Sequence, residues 1–492
     1  MLNVHAQPTS RPAGAIAGRQ IGLSLALVIP DRAHRGRPAV IVPLELTVKR
    51  VPMSNRSVRV LALVAVAAWI LSACGKKGAA GAKGGMPAAA ADSAKPTVAG
   101  APRRVARPDS LHALYVNAWA SGSHSRMTDL IRVADATEIN AFIIDVKESD
   151  TFLAYDSTAI PMAKEIGADQ RPATKWLPRL LDTLKAHNIY SIARIVVFKD
   201  RMLAEKKPDL AIRHVNGGLW RDKKGGAWVN PYDHRVWDYN IAIAKEALDM
   251  GFSEIQWDYV RFPDVTNTMR ATMSYPGANG KSRGENIGEF IRYSKSQLAK
   301  YKVPVTADVF GLVTHDDGDV EIGQHWETVI TSADAVLPMV YPSHYANGHY
   351  GFARPGKVPY NLIRVALTDA VVRTKFVVDS AKVPVGEIRP WLEAMSIRGN
   401  DYGSREVRQQ IQATYDAGLK SWALWNPGSK YADFEGALRP AAGGKSPIEQ
   451  SGWVAPTWTP AKSLLSRVTL QREARAAAAA KPATAPAAKP KV

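Results

Sequence analysis

The chain has 492 residues, 46% of them apolar, enough for one large core or two ordinary domains. Its formal charge is +19, but residues 1–52, 53–110 and 461–492 carry +5, +7 and +6 of it, leaving residues 111–460 with 41 basic against 40 acidic side chains. The central region is therefore nearly neutral, which argues against a basic groove for nucleic acid and confines contact with an anionic lipid or polymer to the tails.

Residues 1–52 are rich in Arg and Pro, lack a sustained period and precede a complete export signal. They read as an extension upstream of a start at Met53. Arg56 and Arg59 form a short basic region, residues 60–71 an apolar run, and Leu71-Ser72-Ala73 a small-residue cleavage site before Cys74. That run is too short to span a bilayer, which takes about 20 apolar residues. Leu-Ser-Ala-Cys followed by Gly75 resembles a bacterial lipobox. The resemblance implies a signal peptide over 53–73, lipidation of the Cys74 thiol, and an envelope protein held at the outer membrane. Cys74 is the one cysteine, so no disulfide forms within the chain. Residues 74–110, rich in Gly, Ala, Lys and Pro, read as a flexible tether.

Across 111–460, strand and helix patterns alternate. Strands are predicted over 112–120, 141–149, 190–198, 253–263, 303–311, 333–341, 387–396 and 421–428. Amphipathic helices are predicted over 126–137, 176–187, 235–250, 285–300, 359–374 and 404–417. Eight strands with intervening helices fit an α/β fold of the (β/α)8 TIM-barrel type. A doubly wound sheet is the runner-up, and no Gly-rich loop follows the first strand to support it. Residues 461–492 read as a disordered Ala/Pro/Lys-rich tail whose 476–480 run is transiently helical.

The run Ile255-Gln-Trp-Asp-Tyr-Val-Arg-Phe-Pro263 ends an apolar strand in a carboxylate. An ionised Asp is costly inside a strand unless it is paired. Near a strand's C-terminal end in a barrel it points to chemistry. An ion pair between Asp258 and Arg261 is the structural alternative. Polar ends recur around the proposed barrel: Asn117 and Trp119, Asp145 and Lys147, Arg194, Asp258, Asp308, Tyr341, Trp391, then Trp425 and Asn426. Asp145, Asp258 and Asp308 are the candidate catalytic carboxylates. Asp258 suits a nucleophile or base and Asp308 an acid, as glycoside hydrolysis requires, with Asp145 tuning or orienting. Arg194 and Arg261 are expected to hold these carboxylates ionised, and Glu393 is an outside candidate for nucleophile.

Two loops concentrate rings suited to sugar faces: Trp220, Trp228 and Tyr232 after the third strand, and Tyr341, His344 and Tyr345 after the sixth. No zincin, phosphate-loop or nucleophile-elbow motif occurs, and no cofactor or metal is expected. The acidic loop His315–Asp319 does not match calcium-ligand spacing.

The motifs IIDVKESD, NGGLWRD followed by WVNPY, IQWDYVRFP, PMVYPSHY and WALWNP resemble together a bacterial family of glycoside hydrolase domains. That resemblance covers about 111–431. It implies a (β/α)8 barrel and a polysaccharide or oligosaccharide substrate. The α-amylase clan is similar in outline, but Gln256 and Asp308 stand where that clan has Arg and Glu, so its roles do not transfer. The expected function is a lipid-anchored envelope glycoside hydrolase. The alternatives are a non-catalytic glycan-binding lipoprotein on a degenerate barrel, and a structural protein whose tails grip an anionic polymer.

Overall fold

The computed structural model describes residues 104–149 and 152–479, together with the backbone of two earlier strands, Leu23–Ile29 and Val40–Leu46. Those two strands pair antiparallel, Leu23 opposite Leu46 and Ile29 opposite Val40, within residues 1–52 where no pattern is legible in the sequence. The proposed signal peptide, Cys74, the tether up to residue 103 and the tail beyond residue 479 lie outside the described residues.

Eight parallel strands close into a barrel. They are β1 (His112–Val116), β2 (Ala141–Lys147), β3 (Tyr190–Val196), β4 (Glu254–Asp258), β5 (Val305–Phe310), β6 (Ala335–Met339), β7 in two pieces (Glu387–Ile388 and Trp391–Glu393) and β8 (Trp422–Trp425). Each pairs with the next in sequence, and β8 pairs with β1. Seven helices cover the outside: α1 (His124–Ala136), α2 (Leu177–Ala186), α3 (His234–Met250), α4 (Arg283–Leu298), α5 (Trp326–Ser332), α6 (Pro359–Ala381) and α7 (Ser404–Asp416). After β8 a 3-10 segment, Ala432–Ala437, packs against α7, and Glu435 pairs with Arg132 of α1 at 2.7 Å. It takes the place of an eighth helix.

Strand alternation sorts the core. Leu114, Phe142, Ile144, Ala193 and Trp257 face the helices, whereas Ala113, Tyr115, Ile143, Ile192 and Leu337 fill the barrel. At the barrel's N-terminal end, Arg389 donates to Glu254 at 2.8 Å, with both side chains fully buried. This pair lies at the face opposite the site, where it serves stability. The break in β7 falls at Arg389-Pro390, because proline offers no N–H to a sheet ladder.

The C-terminal expectation is corrected over 461–479. Helix α8 (Arg467–Ala479) packs on α6. Ser466 N–H donates to Asp369 at 2.9 Å, Arg472 pairs with Glu327, and Val468 is buried. Apolar burial and specific ion pairs hold this basic segment to the barrel. At the other end Arg104 donates to the Phe252 and Leu248 carbonyls, each at 2.7 Å. A cation at the C-terminus of α3 is favoured by the helix dipole, so the tether's last residues are fixed. Among the described residues, no helix is long and apolar enough to cross a membrane.

Candidate active site

The C-terminal ends of β3 to β8 surround a cleft of about 460 Å³. Its floor is a linked set of charges. Arg194 on β3 lies beside the packed rings of Tyr115 and Trp425, 5.4 and 5.5 Å from their centroids. Its guanidinium bonds Asp145 on β2 through Nη1 and Asp258 on β4 through Nη2, with a further Nε contact to Asp258 Oδ2 at 3.1 Å. Tyr115 O–H donates to Asp145. β4 stops at Asp258 because Tyr259 turns into the left-handed region at φ 48°, and its N–H donates to Asp258 Oδ1. A non-glycine residue there is strained, and such strain gathers at functional sites.

Asp308 on β5 sits beside this pair in different surroundings. Gln256 Nε2 donates to Oδ1 at 2.8 Å and to Oδ2 at 3.0 Å, and Trp391 Nε1 donates to Oδ1 at 2.8 Å. Arg194 Nε stays 4.0 Å from Asp308 Oδ2. The Oδ2 atoms of Asp258 and Asp308 are therefore separated by no more than the sum of 3.1 and 4.0 Å, which is 7.1 Å. Burial, and then the neighbouring charge of Asp258, push the Asp308 carboxyl well above the usual carboxylate range, against the pull of Arg194. Burial also raises Asp145, again opposed by Arg194. One carboxylate matched to a guanidinium and one driven toward its neutral form are what acid/base chemistry needs from a pair.

Of the sequence-predicted residues, Arg194, Asp258, Asp308, Arg261, Tyr341, His344, Tyr345, Trp391 and Trp425 line the cleft. Asp145 lies fully buried beneath Arg194. The expectation for Arg261 needs correction, because Arg194 and not Arg261 is the partner of Asp258. Arg261 sits over Trp228, Tyr259 and Phe310, at 5.2, 4.8 and 4.5 Å from the ring centroids, and donates to the Phe262 carbonyl at 2.9 Å.

Several other candidates lie outside the cleft. The β2–β3 register shifts between Asp145 and Lys147, and Lys147 instead meets Asp200 at 2.8 Å, the Val196 carbonyl at 2.6 Å and Asn240 of α3 at 3.1 Å. Asn117 caps the short helix Ala118–Ser121, accepting from Ala120 N–H at 2.8 Å, and Trp119 on that helix is 72% exposed. Trp220 and Trp228 form a small core with Ile212 and Met273 under the third loop, so Trp228 meets the cleft through Arg261 and Tyr259 and does not line it. Tyr232 packs on Phe262 and Tyr275 and donates to the Lys281 carbonyl at 2.9 Å. Asn426 braces its own turn, donating to the Ala394 carbonyl at 2.7 Å and accepting from Gly428 at 3.0 Å.

Tyr115, Asp264 and Arg398 were missed as site residues. Strand alternation through Ala113 and Tyr115 would have revealed Tyr115. Arg398 stands on an irregular loop that carries no pattern. Glu393 is buried, accepts from Ser343 N–H at 2.9 Å, and does not line the cleft.

A closed (β/α)8 barrel whose C-terminal mouth holds paired carboxylates and aromatic rings defines a barrel of the glycosidase type. The chain belongs to the family described as "Putative glycosyl hydrolase domain", whose model matches residues 113–431. No curated protein matches this chain. Solved structures similar to it include a hypothetical protein from Ruminiclostridium thermocellum, 41% identical over 40% of this chain and 97% of that one, TM-score 0.37. Others are the PgaB (BpsB) glycoside hydrolase domain from Bordetella bronchiseptica (14% identity, 65% and 95% covered, TM-score 0.49) and the alpha-galactosidase TtGalA from Thermus thermophilus (14%, 67% and 60%, 0.40).

Proposed function

We propose that the chain is a glycoside hydrolase acting on an envelope or environmental polysaccharide, with Asp308 as the acid and Asp258 as nucleophile or base. The observation that carries this reading is the pair itself: two carboxyl groups on neighbouring strands, no more than 7.1 Å apart at Oδ2, one bound to Arg194 and the other pushed toward its neutral form. Asp308 protonates the glycosidic oxygen. Asp258 attacks the anomeric carbon or directs a water to it; carboxyl separations of about 5–9 Å cover both routes. Tyr115 and Asp145 hold Arg194, which in turn holds Asp258. Tyr341 and Trp425 offer ring surface to the sugar.

Incubation with bacterial and plant polysaccharides, read by mass spectrometry, tests this. The wild type should release oligosaccharides from at least one polymer, and Asp258→Asn should release none while keeping the circular dichroism spectrum of the folded wild type. Undiminished product from Asp258→Asn would refute the assignment.

Lipid anchoring at Cys74 and residence at the outer membrane belong to the same proposal and rest on the lipobox resemblance. Metabolic labelling with a palmitate analogue should mark the wild type and not Cys74→Ala; equal labelling of both would exclude Cys74 as the anchor.

A further inference from the structure

Arg261 is the least expected charge in the cleft. It is 7% exposed, its ring contacts are uncharged, and among the described residues no carboxylate lies within ion-pair distance of it. Asp258, and then Asp264 on the same cleft, attract it from beyond ion-pair distance. A buried guanidinium with no carboxylate in contact is costly, and contact with ring faces offsets only part of that cost.

A second group of cations adjoins the cleft. A hollow of about 280 Å³ shares Tyr345 and Arg398 with it and adds Arg354, Lys357, Asn347 and Asn400. Among the described residues no acidic side chain lines this hollow. Lys357 donates to the Gly399 carbonyl at 2.9 Å and Arg398 to the Ser343 carbonyl at 3.2 Å; among the described residues none of the three cations has a carboxylate within ion-pair distance, and Glu393 attracts Arg398 from further away. Arg398 is held in the left-handed region at φ 54°, a strained setting for a non-glycine residue at the mouth of a site. Arg194 is engaged by Asp145 and Asp258, so Arg261 and Arg398 are the cations on the cleft that no carboxylate among the described residues contacts.

Building on the hydrolase reading, we infer that the glycan is acidic: Arg261 receives a carboxylate on a sugar in the cleft, and Arg398 with Arg354 and Lys357 receives one on a neighbouring sugar in the hollow. The guanidinium fork matches a carboxylate in two parallel hydrogen bonds, which a neutral hydroxyl cannot reproduce. This assigns Arg261 and Arg398 to specificity and leaves bond cleavage to the aspartates.

The test titrates the full chain carrying Asp308→Asn, whose amide stands in for the protonated acid, with oligogalacturonate, oligomannuronate and hyaluronan fragments. The methyl ester of each is titrated beside it. At least one acid should bind about tenfold or more tighter than its ester, a difference of about 1.4 kcal/mol. The same acid should weaken about tenfold in Arg354→Ala/Arg398→Ala, whose sites are exposed, and in Arg261→Gln. The basic termini are unchanged in these variants, so affinity that survives all of them comes from the tails and overturns the inference. Equal affinity for every acid and its ester, or no binding of any acid, also overturns it. If the acid binds through these arginines but wild type releases no product from it, the hydrolase reading fails and this one stands. If wild type cleaves a neutral glycan and the arginine variants cleave it equally well, the reverse holds.

Discussion

Asp258 and Asp308 are the same residue type on adjacent strands, and their surroundings separate them. Asp258 meets a guanidinium, whereas Asp308 meets an amide and an indole and sits next to a negative charge. Trp391 favours the ionised form of Asp308 by donating to it, although burial and Asp258 outweigh this. In Trp391→Phe that donor is lost and the carboxyl is raised further. An acid works only while protonated, so the alkaline limb of kcat/KM should move to higher pH in Trp391→Phe. A limb that moves to lower pH, or does not move, would remove Asp308 from the acid role. At this scale the candidate carboxylates could be picked out from the sequence by their positions at strand ends. Their pairing partners could not. Arg261 stands three residues from Asp258 and points to rings, while Arg194, far away in sequence, forms the ion pair.

The strands follow the period of the sequence, and departures have local causes. β4 is shorter than the 253–263 pattern suggests because Tyr259 leaves extended geometry. In β2 the register shift carries Lys147 to the helix side, which removes it from the cleft although simple alternation places it with Asp145. β7 is split at Arg389-Pro390, and Arg389 in the break forms the buried pair with Glu254. Removing one partner of a buried pair leaves the other charge uncompensated. Arg389→Met should therefore cost about 3–5 kcal/mol in denaturant unfolding, with the double variant Arg389→Met/Glu254→Gln recovering part of it. A loss within about 0.5 kcal/mol would mean that the pair contributes nothing, as for ordinary surface substitutions.

For the molecule as a whole, the C-terminal helix is part of the folded body. Glu327 on α5 binds Arg373 of α6 at 2.6 Å and also Arg472 of α8, so one carboxylate ties three helices together. Burial works to raise its pKa, but the two arginines prevail and hold it at about 2. An unfolded Glu titrates near about 4.3. The folded value is the lower one, so this stabilisation is complete above that pH and is lost as pH falls toward 2. It amounts to up to about 3 kcal/mol. In acid unfolding followed by circular dichroism, Glu327→Gln should be less stable than wild type at pH 7 and should lose less stability between pH 4 and pH 2. Parallel losses in both proteins would show that the cluster does not couple to folding.

Barrel class, strand order and the polar character of the strand ends were legible in the sequence because they follow from period-2 and period-3.6 patterns, which are local. The disordered-tail expectation failed for 461–479 because composition there is dominated by Ala and Arg, while a few contacts, Ser466 with Asp369 and Arg472 with Glu327, anchor it from distant elements. The same reason covers the site. Which arginine meets which aspartate, which loop rings reach the cleft, and the adjacency of Arg398 to a hollow lined by Arg354 and Lys357 depend on contacts between residues far apart in the chain. A linear pattern carries no record of such neighbours; closing the barrel creates them.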